Sequence, residues 1–110
     1  MKVVETIVIS KDFSDAPGAR YKTDGPKSGE EFYETLLCQK FKSALEKGGK
    51  LLIDLDDTWG YASSFISGSF GRLSEEFGAK DVLKTLNFKS EDSPLLVDKI
   101  RKEIQNPNQT

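Results

Sequence analysis

The chain has 110 residues, 36% of them apolar and 31% charged, with a net charge of −2, no histidine and a single cysteine. That length fits one small domain, expected over residues 1–105 with 106–110 as a frayed tail. The lack of histidine excludes Ser-His-Asp and Cys-His catalysis, and one cysteine excludes thiolate zinc sites and an internal disulfide.

Lys and Arg form no stripe that a nucleic-acid backbone could use, and no apolar run reaches the ~18 residues of a membrane span. No nucleic acid, no membrane, no metal and no other cofactor are therefore expected. The N-terminus MKVVETIVISKD reads as a strand rather than an export signal, which makes the cytoplasm the expected compartment.

Val3 to Ser10 is rich in β-branched residues and reads as a buried strand. Residues 11–29 carry Pro17-Gly18 and Gly25-Pro26. Nineteen structureless residues would be long for a compact domain, so a short strand is expected near Ala19–Thr23, returning beside the first. Ser28 and Glu31 have capping-box spacing and open a helix over Glu30–Lys47. Its stripe is Tyr33, Leu37, Phe41 and Ala44, and Gly48-Gly49 ends it.

Leu51, Leu52, Ile53 and Leu55 make a second buried strand that ends in Asp56-Asp57. After a turn through Trp59-Gly60-Tyr61, Ile66, Phe70, Leu73 and Phe77 mark a helix over Ser63–Phe77. A short strand is expected at Leu86–Lys89. Ser93-Pro94 then caps a last helix, Pro94–Gln105, with Leu96, Ile100 and Ile104 facing inward. The alternation gives an α/β fold: a mixed, mostly parallel sheet of about four strands, with helices on at least one face.

LLIDLDDTW resembles the first motif of haloacid-dehalogenase-like phosphotransferases, an apolar strand followed by D-x-D-x-T. That resemblance implies a small Mg²⁺-dependent phosphatase with Asp54 as nucleophile and Asp56 as acid/base. Against it, a strand and helix precede the motif, and the stretch after Thr58 is too short for the later strands that carry the remaining catalytic groups.

LLIDLDDTWGYASSFISGSFGRL also has the layout of STAS domains such as the anti-sigma factor antagonists: strand, turn, then Ser63-Ser64 at the start of an amphipathic helix. DFSDAPGARYKTDGPKSGEEFYE (Asp12–Glu34), LLIDLDDTWGYASSFISGSFGRLSEEFG (Leu51–Gly78) and the helical tail after Ser93-Pro94 resemble the STAS-like family DUF4325. The resemblance implies a STAS-like fold and a non-catalytic regulatory role, with no catalytic residues. It also implies a protein partner of the GHKL-type ATPase/serine kinase class, and phosphorylation at Ser63 or Ser64. The chain departs from the antagonists' Asp-Ser-Ser-Gly by having Ala62-Ser63-Ser64-Phe65.

Two readings stand for each of these residues. Ser63 and Ser64 are helix caps, or they take a phosphate or a partner. Phe65 lies off the helix's apolar stripe; it packs under the 11–29 loop, or it is an exposed anchor for a partner, with Tyr61 beside it. Arg20 and Tyr21, in the long loop, are either locally paired or part of the same partner surface.

Overall fold

The computed structural model describes residues 1–107 and has three strands and a layer of helices among them. The β-branched run forms β1, Val3–Val8, but the strand stops two residues before Ser10. A single helical turn, α1 (Ile9–Asp12), follows, and the Asp12 carboxylate accepts the Val8 N–H at 2.7 Å.

Helix α2 spans residues 29–47. Ser28 caps it, its Oγ accepting the Glu31 N–H at 3.1 Å, and Gly48 ends it at φ 65°, a left-handed position that favours glycine. β2 is Lys50–Asp54 and α3 spans residues 63–77. α4 (Ala79–Thr85) leads into β3 (Leu86–Lys89), and α5 is Pro94–Gln105. Each of the two long helices contains one π-helical turn, Tyr33–Leu37 in α2 and Ser67–Gly71 in α3.

The strand expected near Ala19–Thr23 is absent, and its place is taken by a 3-10 turn at Lys22–Asp24. The backbone of this loop pairs locally. Gly18 N–H donates to Lys27, Gly29 N–H to Ala19 and Glu30 N–H to Arg20, so the segment closes on the start of α2 rather than pairing with the sheet. The sheet therefore has three strands rather than about four. The tail expected over 106–110 lies outside the described residues beyond Pro107.

The strand order is β1-β2-β3 and both pairings are parallel. Two right-handed crossovers stepping the same way across a sheet must leave their helices on the same face. Ile7, Ile53 and Phe88 are in register on that face, as are Glu5, Leu51 and Leu86. Ile7, Leu51, Ile53 and Leu86 are buried there against Phe41, Phe70, Leu73, Ile100 and Ile104. α2 and α3 meet at backbone distance, where a Cβ on Gly29 would lie 2.5 Å from the Phe65 carbonyl oxygen, and the 11–29 loop closes on α3 as tightly, a Cβ on Gly68 lying 2.8 Å from the Arg20 carbonyl oxygen.

Candidate functional site

In a parallel sheet the C-terminal strand ends open onto loops, and ligands and partners meet the fold there. Here that rim is built by residues 54–62 after β2 and 89–93 after β3. Its first half is a fastened turn. Asp56 is only 4% exposed, and its carboxylate accepts the backbone N–H groups of Glu91 (3.0 Å) and Asp92 (2.9 Å) and the Lys89 ammonium (3.0 Å). Burial alone would raise the Asp56 carboxyl, but the Asp92 and Glu91 N–H groups and Lys89 outweigh it, leaving its pKa lowered. Lys89 is pushed the other way, chiefly by its bond to Asp56.

Asp54 Oδ1 accepts the Asp56 N–H at 3.0 Å, and its Oδ2 lies 3.7 Å from Lys89. Asp57 takes a left-handed φ of 66° and donates its N–H to Asp92 Oδ2. A D-x-D-x-T phosphotransferase needs both carboxylates turned toward a cation. Here both oxygens of Asp56 are engaged in tying the β2 end to the β3 end. Among the described residues no group of three acidic, Cys or His side chains is placed to hold a metal ion.

The second half of the rim is open. Trp59 is 88% exposed although its backbone is held, its N–H donating to Asp15 O at 2.8 Å. Leu95, in the first turn of α5, is 78% exposed. Between them lies a groove of about 350 Å³, floored by Leu55, Tyr61 and Leu96 and edged by Thr58, Ser90, Asp92 and Lys99. Tyr61 is half-buried, its hydroxyl donating to the Leu55 carbonyl at 2.9 Å. Burial pushes its pKa up to about 12, a bond to Thr58 opposing, so it stays a neutral donor.

Ser63 and Ser64 are the first two residues of α3, Ser63 exposed and Ser64 partly so. Neither is the cap: that position is Ala62, and no side chain closes the helix start. The capping reading of these serines is thereby corrected. Alanine offers no oxygen to the free N–H groups, and Ser63 and Ser64 follow the cap position rather than occupy it.

For Phe65 the packing reading holds and the partner-anchor reading is corrected. It is fully buried, its ring 5.6 Å from Phe32, 6.0 Å from Tyr61 and 6.1 Å from Phe13. It lies off the stripe that faces the sheet because a second apolar contact, made by Phe13 and Phe32, covers that side of α3. It offers no area to a partner.

Arg20 and Tyr21 do not join the groove. They line a separate cleft of about 100 Å³ with Glu30, Ser67, Gly68, Arg72 and Glu75, over the π-helical turn of α3. Tyr21 is exposed there. Leu95 is the residue that sequence reasoning does not single out, since its place in α5 looks like any other first-turn position.

The model of the STAS-like domain of unknown function family, DUF4325, matches residues 28–96, and the chain belongs to that family. The match begins at the cap of α2, so residues 12–27 of the resembling stretch fall outside it. No curated protein and no solved structure matches the chain.

Proposed function

We propose that this chain is a non-catalytic regulatory module that docks a protein partner through the open half of the rim, Trp59, Tyr61, Leu95 and the exposed start of α3 at Ser63 and Ser64. The partner is a GHKL-type ATPase acting as a serine kinase, in keeping with the family's STAS-like character. The observation that carries the reading is Trp59, an indole 88% exposed on a backbone that is fixed at both ends of its turn. A large rigid aromatic held out in water gains most when a partner covers it.

Phosphorylation of Ser63 is the switch. The α3 N-terminus has no side-chain cap, so its free N–H groups and dipole favour a phosphate on the first turn. The Asp56 charge on the same rim is compensated by Lys89. A phosphate there adds charge four residues from Trp59 and opposes docking of an apolar partner surface.

The test is to titrate GHKL-type ATPases of the same cell against wild type, Trp59→Ala and Ser63→Asp, with melting curves for all three. Loss of binding in both variants at unchanged melting temperature supports the reading. Wild-type affinity in both would move the interface elsewhere, with the Arg20–Tyr21 cleft the next surface to test.

A further inference from the structure

All-parallel sheets are almost always covered on both faces, yet here α2, α3, α4 and α5 all pack on one. The opposite face carries Thr6 and Val8 of β1, Lys50, Leu52 and Asp54 of β2, and Asn87 and Lys89 of β3, with Val3 in register with Lys50. None of these eight side chains is buried. Val3 (40% exposed), Val8 and Leu52 are absent from the apolar cluster of the core and from its packed margin, so three aliphatic groups of the sheet lie outside the core. The face is ordered across its width: Lys50 Nζ donates to Asn87 Oδ1 at 3.3 Å, and Lys89 lies 3.7 Å from Asp54.

We propose that this uncovered face packs against the same face of a second copy, about a two-fold axis that crosses the strands at the level of Leu52. The registered pattern singles out this occupant and this axis. Rotation about it sets β2 antiparallel over β2 of the other copy. Leu52 then meets Leu52, Lys50 meets Asp54, Asp54 meets Lys50, Val3 meets Val8, and Thr6 meets Thr6. Apolar lies on apolar and each β2 charge finds its opposite. The other in-plane two-fold axis, along the strands, stacks Lys50 on Lys50 and Asp54 on Asp54, which is repulsive. Face-to-face sheets separated by about 10 Å accommodate side chains of this size.

The patch is small. Three strands about 4.8 Å apart and five residues rising about 3.3 Å each give roughly 14 by 17 Å. That is well below the ~800 Å² per partner of a standard interface, so the dimer is weak and depends on concentration. It lies on the side of the sheet away from the helices and shares Asp54 and Lys89 with the rim, whereas Lys50 and Leu52 lie clear of it.

Sedimentation equilibrium of the full chain over a wide concentration range tests it. Wild type is expected to show a monomer–dimer equilibrium. Leu52→Arg, at the axis, should raise the dissociation constant at least tenfold with an unchanged melting temperature. Lys50→Asp and Asp54→Lys should each be monomeric. An equimolar mixture of the two should recover dimers, because one copy then brings two carboxylates to the axis and the other brings two ammonium groups. If Asp54→Lys does not fold, Leu52→Arg and Lys50→Asp decide. A wild type that stays monomeric at millimolar concentration overturns the proposal, as does a dimer that Leu52→Arg and Lys50→Asp leave intact.

Discussion

Asp56 and Trp59 are three residues apart on one rim and have opposite fates. Asp56 is buried, charged and saturated with bonds to the 89–92 segment; Trp59 is apolar and almost wholly in water. Residue type alone would assign them the other way round. The difference separates what holds the rim from what the rim holds out. The carboxylate fixes where the turn after β2 sits, and the fixed turn presents the indole. Of the acidic pair after β2 that resembles a catalytic motif in sequence, Asp56 is bound up in fixing the turn, and the adjoining aromatic stands in water.

Substitutions can break this contrast, and Phe65→Ala should have the largest effect. It empties a fully enclosed aromatic site and should cost about 3–5 kcal/mol in urea unfolding. A much smaller loss would mean that Phe65 is not core. Asp56→Ala comes next. It strands the Glu91 and Asp92 N–H groups and should cost about 3 kcal/mol; if stability is untouched, Asp56 is not the bolt. Gly29→Ala pushes a methyl against the Phe65 carbonyl and should cost about 1–3 kcal/mol, read from the same unfolding midpoint.

A subtler effect concerns the far end of the sheet, where Glu5 of β1 is held by Lys47 (2.7 Å), Ser43 and Lys40 (3.2 Å), which lower its pKa to about 2. Because the folded value lies below the unfolded one, the stabilisation is complete above about pH 4.5 and is lost as pH falls toward 2. Glu5→Gln should flatten the stability–pH curve in that window. An unchanged slope there would show that other carboxylates set it.

Much of the frame is legible from periodicity. The stripe Ile66, Phe70, Leu73, Phe77 places α3 at its observed ends, and the short strand Leu86–Lys89 and the helix Pro94–Gln105 lie at the bounds the sequence predicts. What is not legible depends on contacts between distant segments. The 11–29 loop reads as a place for a strand because its closure on α2 is made by backbone bonds that no residue type announces. Phe65 reads as either packed under the 11–29 loop or exposed because a helical wheel has one buried face, and Phe13, 52 residues earlier, supplies the second. Ser63 and Ser64 read as caps because capping is what serine does most often at helix starts, but the helix begins one residue too early for them. The groove joins residues 55–61 to residues 90–99, and neither stretch suggests it alone.

The smallest effect on stability should be that of Trp59→Ala, within about 0.5 kcal/mol because the side chain makes almost no internal contact. That is what makes it decisive for binding. Calorimetric titration of the proposed GHKL-type ATPase partner into wild type and Trp59→Ala, with melting temperatures measured on the same samples, separates fold from docking. A loss of roughly tenfold or more in affinity at an unchanged melting temperature is the expected result. Equal affinity for the two proteins would contradict the assignment of the open rim as the docking surface.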